Sequence, residues 1–77
     1  MDRNELAGHW DLLRKEAGLI WANLTDDDLD YIEGDPDRLI ECVQDRYGYD
    51  RVLAQHEVGQ FMRRYSNIML AMDAWRN

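Results

Sequence analysis

The sequence predicts an all-α fold, a compact bundle of four helices with a long C-terminal helix. Apolar residues recur at steps of three and four along most of the chain, which is the period of an α-helix. Helix-starting and helix-ending residues divide this pattern into four segments. Nothing in it is typical of a β-hairpin. The 77 residues suffice for one domain, whose core is small enough that good caps and aromatic side chains matter.

The first predicted helix runs from about Asn4 to Asn23, with Asn4 as its N-cap. Gly8 and Gly18 lie inside it, and each costs about 1 kcal/mol relative to alanine. This cost suggests that another helix packs closely against the glycines. The apolar face consists of Leu6, Trp10, Leu13, Ala17, Ile20, Trp21 and Leu24.

The second predicted helix begins after Thr25 and ends at Gly34. Thr25 and Asp28 have the spacing of a capping box, with aspartate in place of the usual glutamate. Asp26 to Asp28 occupy the first turn, where the helix dipole favours negative charge. Gly34 suits the left-handed conformation that follows a helix.

The third and fourth predicted helices have equally clear boundaries. Asp35 and Pro36 start the third helix as N-cap and first helical residue, and Gly48 ends it. Asp50 caps the fourth, which runs from about Arg51 to Ala74 and has a weak point at Gly59 where it could bend. The predicted core contains Trp10, Trp21, Leu29, Ile32, Leu39 and Val43.

Charge is divided unevenly between the two parts of the chain. Residues 1–50 contain fourteen acidic and five basic side chains, a net charge of −9, whereas residues 51–77 have a net charge of +2. The acidic part repels nucleic acid and anionic lipid, so we expect a partner to bind the C-terminal part. We expect a cytoplasmic protein, because Cys42 is the only cysteine and no signal peptide or membrane-spanning run is evident.

No residue pattern predicts a catalytic, cofactor or metal site. Counted from Asp26, the acidic run has Tyr31 and Asp37 where an EF-hand loop needs glycine and glutamate. His9 and His56 are too scattered for a zinc site, and His56 is expected to be partly buried and hydrogen-bonded. Cys42 is expected to be an inert, partly buried thiol, because acidic neighbours raise a thiol pKa.

Taken in order, the motifs resemble the CsbD-like family of small bacterial stress-response proteins. The resemblance covers about residues 4–61 without a gap. Its matching residues are Gly8, Trp10, Trp21, the segment LTDDDLDYIEG at 24–34, Asp37, Leu39 and the segment QDRYG at 44–48.

This resemblance implies a four-helix domain of the helical-hairpin, sterile-alpha-motif-like class and expression tied to general stress. It implies no known biochemical activity and no catalytic residues. The chain departs from the family at Lys15, Ala22 and Glu41, where glycine is common, and acidic residues and Pro36 replace basic residues after Gly34. These departures put in doubt any role of the family's basic surface.

We therefore divide the chain into a CsbD-like domain at 1–61 and an amphipathic extension at 62–77, continuous with the fourth helix. An exposed apolar stripe usually marks an interface, so a homodimer through this helix is the leading prediction. Packing of the stripe onto its own bundle, another protein or a membrane surface are the alternatives, and a nucleic-acid-associated helical module is the alternative function. The predicted contact residues are Phe61, Met62, Tyr65, Met69, Met72 and Trp75.

Overall fold

A computed structural model of the protein describes the backbone of residues 3–74 and the side chains of residues 3–65. Over that range the chain is helical and contains no strand, which confirms the all-α prediction. It forms five α-helices: α1 at Arg3–Gly8, α2 at Trp10–Ile20, α3 at Asp26–Ile32, α4 at Pro36–Tyr47 and α5 at Arg51–Ala74.

The first predicted helix is two helices, separated at His9. The backbone of His9 has φ −110° and ψ 13°, outside the α-helical range. Its N–H still donates to Glu5 O at 3.1 Å, and its carbonyl accepts from Leu13 N at 3.0 Å. The interruption is therefore one residue long. The N-cap prediction at Asn4 was also wrong, because α1 begins at Arg3 and includes Asn4.

Helix α2 ends at Ile20, three residues before the predicted end. Trp21 leaves the helical conformation at φ −113° and ψ 76°, while its N–H still donates to Ala17 O at 2.8 Å. Its side chain is buried, and its ring centroid lies 5.3 Å from that of Phe61. We attribute the early end to this packing, because no glycine or proline marks it in the sequence.

The capping box at the start of α3 is confirmed. Thr25 Oγ1 accepts from Asp28 N at 3.0 Å, and Asp28 Oδ2 accepts from Thr25 N at 3.0 Å. At the other end, Glu33 and Gly34 both have left-handed backbones, with φ 49° and φ 76°. Two residues with left-handed backbones thus follow α3, whereas the sequence predicted only Gly34 in this conformation.

The remaining caps agree with their predictions. Asp35 Oδ1 accepts from Asp37 N at 2.9 Å, and Pro36 is the first residue of α4. Gly48 ends α4 with φ 67°. Asp50 Oδ1 accepts from Leu53 N at 2.8 Å at the start of α5. Helix α5 then continues past Gly59 without a break.

The glycine that packs most closely is Gly34. A β-carbon there would lie 2.5 Å from Ala7 Cα and 3.0 Å from Leu6 O, so the backbone of α1 rests directly on this residue. The expectation of close packing at Gly8 was wrong, because no atom lies within 4 Å of its β-carbon position. At Gly18 that position is in ordinary contact, 3.6 Å from Leu29 Cδ1.

One hydrophobic core joins the five helices, and all six predicted core residues are buried in it. The indole of Trp10 donates through Nε1 to Leu29 O at 3.1 Å, which links α2 to α3. Helix α5 packs mainly on α4, and α4 also packs on α3. Helix α5 contributes Ala54, Val58 and Phe61 to the core.

Candidate functional site

Ion pairs join different helices across the acidic part of the chain. Arg3 Nη2 lies 2.7 Å from Asp37 Oδ2 and 3.5 Å from Asp35 Oδ1, so α1 is tied to the start of α4. Arg14 Nη2 lies 2.7 Å from Asp30 Oδ1, which ties α2 to α3. All of these side chains are at least partly exposed, so solvent screens each pair and its contribution to stability is small.

The ion pair between Asp28 and Arg46 has better hydrogen-bond geometry than the pairs made by Arg3 and Arg14. Arg46 donates through Nε to Asp28 Oδ2 at 2.7 Å and through Nη2 to Oδ1 at 3.0 Å, a bidentate contact. The Arg46 guanidinium and the Thr25 backbone N–H together lower the pKa of Asp28 to about 2. This contact joins the segment at 24–34 to the segment at 44–48, the two motifs that carry the family resemblance.

Arg38, the remaining arginine in residues 1–50, also binds a group of the same chain. Its Nη1 donates to Tyr31 O at 2.9 Å, and its guanidinium carbon lies 5.0 Å from the Tyr31 ring centroid. The four arginines of this part of the chain therefore all bind carboxylates or a carbonyl of the same chain. A phosphate ligand would have to compete with these contacts.

Cys42, predicted to be partly buried, is a free thiol that lies fully in the core. Burial raises the pKa of the Cys42 thiol to about 11, and the nearby carboxylates of Asp28, Glu41 and Asp45 add to the shift. The thiolate is the reactive form of cysteine. Burial and the raised pKa both favour the unreactive thiol form of Cys42.

The two histidines lie apart from these groups. His56 Nε2 is 3.0 Å from Gln60 Nε2, which confirms the predicted hydrogen bond, but the side chain is exposed and not partly buried. His9 is exposed at the junction of α1 and α2. Within the described residues, no three His, Cys, Asp or Glu side chains are grouped so as to hold a metal ion.

The first half of the predicted contact stripe packs onto its own chain. Phe61 is 3% exposed, with ring centroids 5.3 Å from Trp21 and 4.8 Å from Tyr65. Met62 and Tyr65 are half-buried against the core, and the Tyr65 hydroxyl donates to Glu16 Oε2 at 2.9 Å. The structure therefore assigns Phe61 to the core rather than to an exposed contact surface.

The other predicted contact residues are Met69, Met72 and Trp75, which lie outside the described side chains. What the sequence analysis missed are large apolar side chains that the fold leaves exposed. Leu12 and Leu19 are two turns apart on α2, opposite its buried stripe, and this spacing was a signal for them. The exposed set within residues 3–65 is Leu12, Leu19, Ile20, Tyr31, Val52 and Leu53.

One side of helix α5 points away from the core. We call this side the outer face of α5, and it consists of Val52, His56, Gly59, Gln60 and Arg63. These residues recur at helical spacings of four, three, one and three, and all of them except Gly59 are exposed. Glu57 is the one carboxylate in residues 51–65, and it borders a groove on the α2 side with Ile20 and Phe61. The outer face is therefore free of carboxylates along Val52, His56, Gly59, Gln60 and Arg63.

A contrasting surface spans α3 and α4, and we call it the acidic face. The Tyr31 hydroxyl donates to Glu41 Oε2 at 3.3 Å, which places the two helices side by side. Asp27 lies one turn before Tyr31, and Asp45 lies one turn after Glu41, next to the residues of the Asp28–Arg46 pair. The acidic face thus comprises the exposed residues Asp27, Tyr31, Glu41 and Asp45.

Curated relatives place the chain among known proteins. A UPF0337 protein of Pectobacterium atrosepticum is 41% identical over 58 residues, 75% of this chain and 84% of the relative. The UPF0337 protein YjbJ of Escherichia coli is 37% identical over 65 residues, 84% of this chain and 94% of YjbJ. The chain belongs to the UPF0337 family. This is the CsbD-like family, so the resemblance read from the motifs is confirmed at the level of family.

Other UPF0337 proteins match to a similar extent. One from Bordetella pertussis is 41% identical over 64 residues, which cover 83% of this chain and 97% of the relative. No family model matches the chain, and no solved structure matches it. Within the described residues, no helix combines the length and the apolar character needed to cross a bilayer.

Proposed function

We propose that this UPF0337 protein acts by protein–protein contact, without a catalytic step, as a stress-response protein of the bacterial cytoplasm. The stress assignment comes from the CsbD-like resemblance. The reducing cytoplasm suits a chain whose single cysteine is a buried free thiol. The observation that carries the proposal is the outer face of α5, an exposed carboxylate-free surface on a protein of net charge −7.

A contact function also fits the titratable groups. The large pKa shifts have structural causes: Asp28 is held by Arg46 at a helix start, and Cys42 is buried beside carboxylates. A shifted pKa points to catalysis when the group lies in a cleft beside a second reactive group. Neither Asp28 nor Cys42 lines the groove between α2 and α3, whose lining residues are Arg14, Lys15, Gly18, Leu19, Asp26 and Leu29.

The contact we favour is self-association through α5. This helix continues for nine residues beyond Tyr65, a length of about 14 Å at the usual rise per residue. The sequence of that segment includes Ile68, Met69, Leu70 and Met72. Methionine-rich surfaces adapt readily to a partner, so Met69, Met72 and Trp75 stay predicted contact residues.

The oligomeric state of the full chain tests this proposal. We expect light scattering behind size exclusion to give a dimer mass that falls toward the monomer on dilution. A gel-shift assay with duplex DNA at low salt tests the nucleic-acid alternative, for which binding would weaken steeply as salt increases. A monomer that shifts DNA would replace the proposed function with that alternative.

A further inference from the structure

We propose that the outer face of α5 in one copy of this protein binds the acidic face of α3 and α4 in a second copy. The inference rests on the proposed self-association and names the two surfaces that meet. Each copy carries both faces, so two copies related by a two-fold axis make the contact twice.

The outer face supplies apolar area and positive charge together. Val52 is 76% exposed, and its neighbour Leu53 is 41% exposed, so the first turn of α5 presents apolar surface to solvent. Arg63 lies three turns along the same face and has no carboxylate beside it on that face. An apolar end and a cationic end fit a partner surface that is acidic around an apolar centre.

The acidic face has carboxylates around an apolar centre, the ring of Tyr31. Tyr31 is 46% exposed and donates to Glu41, while Asp27 lies one turn before Tyr31 on α3 and Asp45 one turn after Glu41 on α4. Arg38 lies over the Tyr31 ring at 5.0 Å, and three carboxylates against one guanidinium leave the face net negative. Exposed tyrosine beside charged groups is common at protein interfaces, because its ring offers apolar area and its hydroxyl a hydrogen bond.

Gly59 adds a steric argument for the outer face. It sits near the middle of that face inside a continuous helix, where glycine is less stable than alanine. Apart from the adjacent residues and the backbone of α5 itself, no atom of the described residues lies within 4 Å of the position a β-carbon would take. No packing within the described chain therefore requires a glycine here, whereas the missing side chain leaves a notch into which a second copy fits.

Charge reversal on each face tests the contact by sedimentation equilibrium of the full-length protein at 150 mM salt. We expect the paired changes Gln60→Glu and Arg63→Glu to raise the dimer Kd about tenfold or more. The paired changes Glu41→Lys and Asp45→Lys on the acidic face should do the same. Lys15→Glu, an exposed charge reversal on α2, is the matched control and should leave the dimer Kd within about twofold.

Mixing the two reversed variants is the decisive measurement. In the mixed pair, the acidic α5 of one variant meets the basic α3–α4 face of the other, and the unchanged faces also match. The Kd of the mixed pair should return to within about threefold of the wild-type value. Gly59→Leu should weaken the dimer while the far-UV circular dichroism and the unfolding midpoint stay at or above wild type.

The outcomes separate this inference from the proposed function. A wild-type dimer whose Kd is unchanged in both reversed variants would overturn the two named faces and leave self-association through α5 standing. Reversed variants that dissociate but do not recover on mixing would also overturn the pairing of these faces. A wild-type chain that is monomeric up to about 1 mM would overturn both.

Discussion

Replacing Gly34 by alanine is the substitution with the largest expected effect on folding. The new β-carbon would lie 2.5 Å from Ala7 Cα and 3.0 Å from both Ala7 N and Leu6 O. These are backbone atoms, which cannot turn away as a flexible side chain can. Relief requires α1 to move, which would loosen the packing of Leu6, a residue with no exposed surface.

Two costs add at this position. The left-handed backbone of Gly34, with φ 76°, costs a residue with a β-carbon about 1–2 kcal/mol. Displacing α1 adds a packing loss of about 1–3 kcal/mol. We therefore expect Gly34→Ala to lower the free energy of unfolding by about 2–5 kcal/mol, comparable to the whole stability of a domain this small.

Gly48→Ala is the matched control. Gly48 is also left-handed, with φ 67°, but no atom lies within 4 Å of its β-carbon position, so only the backbone cost applies. Urea unfolding followed by tryptophan fluorescence measures both variants. Equal losses for Gly34→Ala and Gly48→Ala would refute the claim that α1 rests on the Gly34 backbone.

Three further predictions concern single side chains. The pKa of Asp28 is depressed from 3.8 to about 2, so its contribution is present above pH 3.8 and lost as the pH falls toward 2. Asp28→Asn should cost about 1–2 kcal/mol at pH 7 and much less at pH 2 in urea titrations, and a constant cost would contradict the pairing. Cys42 should react with a disulfide reagent at pH 8 about 100-fold more slowly in the native protein than in urea, and equal rates would contradict its burial. Trp10→Phe should cost about 2 kcal/mol in urea unfolding, because it leaves Leu29 O without its donor, and a cost under about 0.5 kcal/mol would contradict that role.

Helix boundaries set by local chemistry were predictable from the sequence. Thr25, Asp35 and Asp50 cap their helices through side chains that reach only two or three residues along the chain. Gly48 needs only its own backbone freedom. Such features depend on neighbours in sequence, so spacing and residue type are enough to identify them.

Boundaries set by tertiary packing were not predictable in this way. The end of α2 at Ile20 follows from the packing of Trp21 against Phe61, forty residues later in the chain. Gly34 was predicted as a helix end, but its contact with α1 depends on how the helices are placed. For the one-residue interruption at His9 we have no physical account.

In the candidate site, too, local features were predictable from the sequence and features set by tertiary packing were not. The sequence revealed an apolar stripe on the last helix but not what covers it. Trp21, just after α2, packs on Phe61, and Glu16 on α2 accepts from the Tyr65 hydroxyl. The acidic bias of residues 1–50 was evident, but the bonding of all four arginines to the same chain needed the fold. The outer face of α5 became visible only once the core side of that helix was known.

Contact between copies, through opposite charges on two exposed faces, is the function that we propose for this protein. A concentration series of amide NMR spectra on the full chain tests it most directly. We expect that raising the concentration to about 1 mM shifts the amides of both faces, Val52, His56 and Arg63 as well as Asp27 and Tyr31. Spectra that do not change over that range, or shifts confined to other surfaces such as Leu12 and Leu19, would contradict it.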